Sequence, residues 1–272
     1  MSRHAQSVRR RFDAAADCYE SRSSVQARVA DRLMDLWPDA GSIHRILEAG
    51  CGTGLLTRRL AARFPGASIE ALDQAPRMIE AARRRCPGLT WHATDLLEFH
   101  SDLRYDLIAS NCSLHWVEPL GNGFRILRKL LAPDGRLVFS IMLDGTLGEL
   151  RAARLIAAPA KPPLGRLPSL PEVRAALESG GWRVERFHEE QLEERHASAR
   201  DFLRHIHEMG LTGGAVSRAP APLARNELAR VIQEYDRRHQ DGAPGVKATY
   251  AVAYVSAVGA EHPPAEPSRA AG

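Results

Sequence analysis

A glycine-rich turn directly after a short apolar strand constrains this chain more than any other feature of its sequence. Residues 44–49 have the apolar pattern of a buried strand and run into a segment in which every second residue, Gly50, Gly52 and Gly54, is glycine. Alternating glycines allow backbone conformations that side chains disfavour, so that a ligand can approach the main chain closely. The segment therefore predicts a strand–turn–helix unit that holds a small molecule.

The spacing of these glycines differs from that of a dinucleotide-binding turn. That turn, G-x-G-x-x-G, would require a glycine where the chain has Leu55 or Thr57. Two carboxylates, Asp73 and Asp95, follow the next two predicted strands. Asp73 can accept hydrogen bonds from both hydroxyls of a ribose, and Asp95 can reach the exocyclic amine of an adenine. The pattern favours a nucleoside whose other end carries no phosphate.

The remainder of the chain alternates between strand-like and helical segments, which predicts an α/β protein with a doubly wound parallel sheet. Apolar strand-like segments lie at 44–49, 68–72, 89–93, 105–110, 136–143, 182–193 and 247–258. Helical periodicity marks 1–40, 55–64, 76–82, 120–131, 147–157, 172–178, 199–209 and 222–239. In sheets of this kind, ligands bind at the carboxyl ends of the strands. We expect the site there.

Composition excludes several classes of protein. The chain has 272 residues, of which 44% are hydrophobic and 26% charged, as is typical of globular proteins. It has no apolar run of about 20 residues and no apolar N-terminal stretch, so we expect a cytoplasmic protein without a membrane partner. Its four cysteines are widely spaced, which favours free thiols, and we expect no metal site. A net charge of +4 is too small to indicate a nucleic-acid partner.

The glycine turn and the carboxylates after it resemble those of the class I S-adenosylmethionine-dependent methyltransferases. The matching segments are 46–54, 71–75, 94–96 and 131–135, in the order and spacing of that family. The resemblance implies a Rossmann-like, mostly parallel seven-stranded sheet whose last strand is antiparallel, with S-adenosylmethionine as the cofactor. The residues that it assigns to cofactor binding are Glu48, Gly50, Gly52, Gly54, Asp73, Gln74, Met78, Asp95, Leu96 and Asn111.

The resemblance divides the chain into four parts. Residues 1–42 would form an N-terminal helical lid, and 43–143 the Rossmann-like core that binds S-adenosylmethionine. Residues 144–259 would add the remaining strands and helices that cap the substrate site, and 260–272 a disordered tail.

Segments outside the cofactor half look like the malonyl-acyl-carrier-protein O-methyltransferases of biotin synthesis. They are 8–19, 110–117, 144–150 and 249–250. This resemblance implies a malonyl thioester on acyl-carrier protein as the acceptor, and it points to Tyr19, His115 and Trp116 as substrate-binding residues. His115 stands where that family commonly has glutamine. Methyltransferases of small carboxylic acids such as trans-aconitate, and quinone C-methyltransferases, are the alternatives.

The implied reaction needs no general base, and we assign no catalytic residue. A carboxyl group with a reference pKa of about 4 is already ionised at neutral pH. Its charge is lost on methylation, so an arginine clamp would favour the ground state. We expect a modest set of hydrogen-bond donors, with an arginine such as Arg154 or Arg204 at the edge of the pocket. The basic clusters 9–11 and 83–85 could contact an acidic carrier protein. We expect the protein to be a monomer.

Overall fold

The computed structural model describes residues 3–36, 43–213, 221–239 and 243–260. This part of the chain forms a seven-stranded sheet in the order β3-β2-β1-β4-β5-β7-β6. Its strands are β1 Arg45–Ala49, β2 Ser68–Asp73, β3 Thr90–Ala93, β4 Tyr105–Asn111, β5 Leu131–Met142, β6 Trp182–His196 and β7 Val246–Gly259. Strands β1 to β5 pair in parallel, whereas β7 is antiparallel to both β5 and β6. The predicted fold class is confirmed.

Helices connect the strands along the chain. They are α1 Arg3–Ala15, α2 Tyr19–Arg22, α3 Ser24–Asp35, α4 Leu55–Arg63, α5 Pro76–Arg85, α6 Leu120–Leu130, α7 Gly148–Ala157, α8 Leu170–Ser179, α9 Ala199–Glu208 and α10 Arg225–Arg238. Single 3₁₀ turns lie at Leu96–Glu98, Leu114–Trp116 and Leu211–Gly213. Among the helices of the described ranges, none is both long and apolar enough to cross a membrane.

The position of β1 decides where a ligand can bind. Chain order runs outward from β1 through β2 to β3, and then returns to β4 on the other side of β1. Ile46 lies between Ile69 of β2 and Leu107 of β4, and all three are buried. The reversal of strand order leaves a crevice at the carboxyl ends of β1 and β4, which is where ligands of such sheets bind.

The boundary between α6 and β5 differs from our prediction. We expected the helix to include Leu131 and the strand to begin at 136, but Leu131 pairs with Tyr105 of β4 as the first residue of β5. The pairing then skips to Arg136 and Leu107. Pro133 disfavours helical conformation in the residue before it, so the helix must end earlier. This skip in pairing is a β-bulge. At Gly135, a Cβ would lie 2.8 Å from the carbonyl oxygen of Tyr105, so the bulge requires a glycine there.

The N-terminal segment forms three helices, where one helical region over 1–40 was expected. Its last helix, α3, packs into the core: Val29, Ala30 and Leu33 are at most 1% exposed and belong to one apolar cluster with Ile46 and Leu56. Trp37, which the periodicity placed on the same face, lies outside the described residues. Of the predicted tail, only Ala260 is described, and its backbone N–H donates to the carbonyl of Gly181 at 2.9 Å.

The packing of α3 yields a stability prediction. Leu33→Ala should lower the free energy of unfolding by about 2–5 kcal/mol, because it leaves a cavity in the shared core. Ile156, which is 48% exposed on α7, provides the control. Ile156→Ala should change the free energy of unfolding by less than about 0.5 kcal/mol. Urea denaturation of the full chain measures both. Equal, small effects would show that α3 is not part of the cooperative core.

Candidate functional site

The glycine turn after β1 is fastened to the end of β2. The backbone N–H groups of Gly50 and Cys51 both donate to the carbonyl of Leu72, at 2.8 and 3.0 Å. Gly50 has φ +73°, and a Cβ there would overlap the side chain of Ser113. Gly50 is therefore required for two reasons: its left-handed backbone conformation and the close approach of the loop after β4.

Asp73, at the end of β2, holds the same turn from the other side. Its Oδ2 accepts from the N–H of Gly52 and its Oδ1 from that of Ala75, each at 2.9 Å. Burial raises its pKa to about 6, and the two backbone hydrogen bonds oppose that rise. Above that pH the carboxylate is ionised, and each of its oxygens can accept a further hydrogen bond from a bound ligand.

A cavity of about 260 Å³ lies between the ends of β1, β2 and β4. It brings together most of the residues that the sequence assigned to cofactor binding. Those that line it are Gly50, Gly52, Asp73, Gln74, Met78, Asp95, Leu96 and Asn111. Asp95 also caps the 3₁₀ turn after β3, because its Oδ1 accepts from the N–H of Leu97 at 2.9 Å.

Glu48 and Gly54, which we also expected at the cofactor, lie behind the turn and not on the cavity wall. Glu48 is 1% exposed, and Thr57 Oγ1 donates to its Oε2 at 2.5 Å. Burial raises the pKa of Glu48 to about 8, so the group is mainly protonated at neutral pH. Gly54 begins α4 with φ +85°, close to Ala82 and Trp91. Both residues support the turn from the protein interior.

The cavity suits S-adenosylmethionine on two structural grounds. The first is the glycine cradle, where a side chain at position 50 would close the space between the turn and Ser113. The second is Gln74, whose Oε1 is buried on the cavity wall without a hydrogen-bond partner in the described part of the chain. An unpaired buried acceptor is costly unless a ligand donates to it. The Asp73 carboxylate and the apolar surfaces of Met78 and Leu96 complete a wall for a ribose and a base.

A second, smaller cavity of about 60 Å³ adjoins the first. The two share Phe12, Tyr19, Cys112 and Trp116 as lining residues. Phe12 contacts the other two aromatic rings: it packs edge-on against Trp116 at 5.3 Å between ring centroids and against Tyr19 at 6.2 Å. Tyr19 and Trp116 were expected at the acceptor, whereas Phe12 was not, although it lies in a segment that carries the family resemblance.

Electrostatics keep the aromatic wall uncharged. Burial raises the pKa of Tyr19 strongly, and the nearby Cys112 thiol and Asp73 carboxylate raise it further, so its hydroxyl stays protonated. His115 lines the smaller cavity beside Trp116, with 5.2 Å between the ring centroids. Burial lowers its pKa to about 3, and its Nδ1 has no hydrogen-bond partner within the described ranges. His115 is therefore neutral throughout the physiological range.

Neither arginine that we considered for the pocket edge lines either cavity. Arg154 is a buried residue of α7 and donates to the carbonyl of Lys161 at 3.2 Å. Arg204 forms an ion pair with Asp201 on the surface of α9. Among the residues that the structure describes, no Lys, Arg, Asp or Glu lines the smaller cavity. In the same ranges, no cluster of His, Cys, Asp or Glu could hold a metal ion.

The buried Glu48 gives a pH-dependent prediction. Its pKa is higher in the folded protein than the reference value of 4.5, so the folded state binds its proton more tightly than the unfolded chain does. Stability is therefore lost as pH rises from about 4.5 to about 8. Glu48→Gln, which mimics the protonated carboxyl, removes that loss.

Thermal unfolding of both proteins across this pH range measures the difference. The melting temperature of Glu48→Gln relative to the wild type should rise by several degrees between about pH 5 and about pH 8. A constant difference would mean that Glu48 is already ionised in the folded protein.

Comparison with known proteins agrees with this geometry. Residues 47–137 match a family model described as a methyltransferase domain. The YcgJ protein of Bacillus superposes with a TM-score of 0.59 at 12% identity, over 86% of this chain and 98% of that one. An N-methyltransferase of Haemonchus contortus, solved with S-adenosylhomocysteine, gives a TM-score of 0.53 at 16% identity, over 85% of this chain and 52% of that one. These structures share the fold.

Curated relatives are closer in sequence. The malonyl-[acyl-carrier protein] O-methyltransferase of Geobacter sulfurreducens is 33% identical over 258 residues, covering 91% of this chain and 96% of that protein. The corresponding enzyme of Halorhodospira halophila is 32% identical, covering 93% and 87%. The biotin biosynthesis bifunctional protein BioCD of Bordetella avium is 32% identical over 91% of this chain and 51% of that protein. Because the identity with the first two of these relatives extends over nearly the whole length of both the chain and those relatives, the chain belongs to the malonyl-[acyl-carrier protein] O-methyltransferase family of S-adenosylmethionine-dependent methyltransferases.

Proposed function

We propose that this enzyme methylates the free carboxylate of a malonyl thioester on acyl-carrier protein, giving the methyl ester, as an early step of biotin synthesis. One observation carries the proposal: an uncharged cavity of about 60 Å³ shares a wall with the nucleoside cavity. The names of the curated relatives support the same acceptor and pathway. Tyr19, His115 and Trp116 are the proposed acceptor-binding residues.

Asp73, Gln74, Asp95 and the glycine turn would hold S-adenosylmethionine. When bound, it supplies a sulfonium methyl group that a carboxylate oxygen takes up, while the carbon–sulfur bonding pair stays on sulfur. Around the reacting groups the protein supplies Tyr19 and the rings of Phe12 and Trp116, which exclude water where the two cavities meet. Alignment of the reactants accounts for the main part of the rate enhancement.

The acceptor site matches a reaction in which charge disappears. The carboxylate needs no base to ionise it. With its pKa lowered to about 3, His115 is too weak a base to deprotonate a less acidic acceptor group such as a hydroxyl. Neutral donors hold a carboxylate less tightly than a guanidinium would, so the ground state is not stabilised over the less polar transition state. The lack of a cationic lining residue in the described part of this cavity therefore favours methyl-ester formation.

The size of the smaller cavity separates the candidate acceptors. Its volume of about 60 Å³ exceeds the roughly 10–15 Å³ needed by one water, and it suits a short carboxylate end. A trans-aconitate molecule carries three carboxylates and a quinone a substituted ring, and both need more room. A thioester can leave its bulky carrier outside the protein and insert only the malonyl end.

Further parts of the proposal concern the whole enzyme. We infer that α1 and α2, which cover both cavities through Phe12 and Tyr19, act as a lid over the site. The basic clusters 9–11 and 83–85 are the surfaces that we propose for an acidic carrier protein. A monomeric state and a cytoplasmic location complete the proposal. Size-exclusion chromatography with light scattering tests the first, and fractionation of the source cell the second.

The proposed function is tested by methyl transfer from labelled S-adenosylmethionine. Malonyl-carrier protein, malonyl-coenzyme A, free malonate and trans-aconitate are compared as acceptors. We expect the malonyl thioesters to be preferred, with the ester identified by mass spectrometry and by its hydrolysis in base. Turnover of the free acids alone would contradict the proposal and identify a small-acid methyltransferase.

Cofactor affinity should depend on the protonation of Asp73. Because its pKa is raised to about 6, the carboxylate gains a proton as pH falls through that value and loses acceptor capacity. The Kd for S-adenosylmethionine of the wild type should therefore rise by about tenfold for each pH unit below about 6. Asp73→Asn should bind at least about tenfold more weakly at neutral pH and lose this pH dependence. Isothermal titration calorimetry measures both, and a pH dependence shared by the two proteins would assign it to another group.

A further inference from the structure

Gln26 is a polar residue on an otherwise apolar helix face. It lies on α3, one helical turn before Val29 and Ala30 and two turns before Leu33, which pack into the core. Its exposed fraction is 6%, so its side chain is buried almost as completely as theirs. A glutamine in such a position costs stability unless its amide is hydrogen-bonded.

The backbone carbonyl of Gln26 is hydrogen-bonded, but the oxygen of its side-chain amide is not. Asn111 Nδ2, at the end of β4, donates to the backbone carbonyl of Gln26 at 3.0 Å, and Ser140 Oγ donates to Asn111 Oδ1 at 2.8 Å. The side chain of Gln26 lines the smaller cavity, and its Oε1 has no hydrogen-bond partner among the described residues. A buried acceptor without a donor costs about 1–3 kcal/mol. The backbone at Gln26 is therefore fixed, while its buried side-chain oxygen lowers the stability of the folded protein.

A second unpaired group, His115 Nδ1, belongs to the same cavity. Two other polar side chains of that cavity, Thr146 and Tyr250, already have partners in the protein. Thr146 Oγ1 donates to the carbonyl of Ala251 and accepts from its N–H, at 3.1 and 3.0 Å, and the hydroxyl of Tyr250 reaches Glu194 at 3.4 Å. Gln26 Oε1 and His115 Nδ1 are therefore the fully buried polar atoms of this cavity that lack a partner within the described ranges. They add to the Tyr19 and Trp116 side chains already proposed to bind the acceptor.

We propose that the side-chain amide of Gln26 binds the malonyl end of the acceptor, and that Gln26 and His115 together hold its carboxylate through uncharged hydrogen bonds. This inference rests on the proposed function. The terminal amide of a glutamine can rotate to present either its oxygen or its NH₂ group, and the NH₂ group donates to a carboxylate oxygen. The other carboxylate oxygen is then free to face the shared wall and the cofactor cavity.

The proposal separates stability from activity, which a purely structural role would not do. Gln26→Met keeps the length and shape of the side chain but removes the unpaired amide from an apolar surrounding. Its melting temperature should therefore equal or exceed that of the wild type. Its kcat/KM for malonyl-carrier protein should fall by about tenfold or more, while its Kd for S-adenosylmethionine changes by less than about twofold.

Two further variants sharpen the test. Gln233, exposed on α10, supplies the matched control, and Gln233→Met should leave kcat/KM and melting temperature unchanged. Gln26→Glu places a second carboxylate beside that of the acceptor, so its kcat/KM should fall further at neutral pH and recover as pH is lowered. The wild type should show no such recovery.

The outcomes are distinct. Lower kcat/KM with unchanged cofactor affinity and undiminished stability supports the assignment of Gln26. Wild-type kcat/KM in Gln26→Met, or a fall in kcat/KM that follows a loss of melting temperature, overturns it. If the wild type itself transfers no methyl group to a malonyl thioester, the proposed function fails, and this inference fails with it.

Discussion

The hydrogen bonds between the first two strand ends are the constraint on which the rest of the site depends. The carbonyl of Leu72 and the carboxylate of Asp73 together accept from the backbone N–H groups of Gly50, Cys51, Gly52 and Ala75. Backbone donors that would otherwise be unsatisfied in a tight turn are paired here with the neighbouring strand. This pairing sets the shape of the turn, and the turn sets one side of the larger cavity.

Burial keeps several ionisable groups near the site uncharged. Glu48 is protonated behind the turn, Tyr19 keeps its proton on the shared wall, and His115 stays neutral in the smaller cavity. Asp73 is the exception, because two backbone N–H groups compensate for its loss of hydration. The negative charge of the site is thereby placed on the cofactor side and kept off the acceptor side. That distribution suits a positively charged donor of the methyl group and a carboxylate acceptor.

How far the sequence predicted the structure depends on the range of the interactions. The glycine turn, the carboxylates and the order of strands follow from local patterns, and the structure confirms the fold that they imply. Glu48 and Gly54 do not line the cavity, and a motif could not show this, because it gives which residues lie close in the chain and not which of them face inward. Gln26 was missed altogether, although a glutamine within the apolar stripe of α3 is a signal that periodicity can reveal. The pairing of α3 with Asn111 joins residues 85 positions apart, and no local pattern encodes it.

The aromatic wall shared by the two cavities limits how enzymes of this architecture can diverge. Phe12, Tyr19 and Trp116 face both spaces, so a smaller ring that admitted a longer acceptor would also loosen the packing around the nucleoside. Thr146, Leu147, Leu167 and Leu211 line only the smaller cavity. Evolution toward new acceptors is therefore expected to proceed through substitutions in the loops that carry these residues, while the three rings stay unchanged.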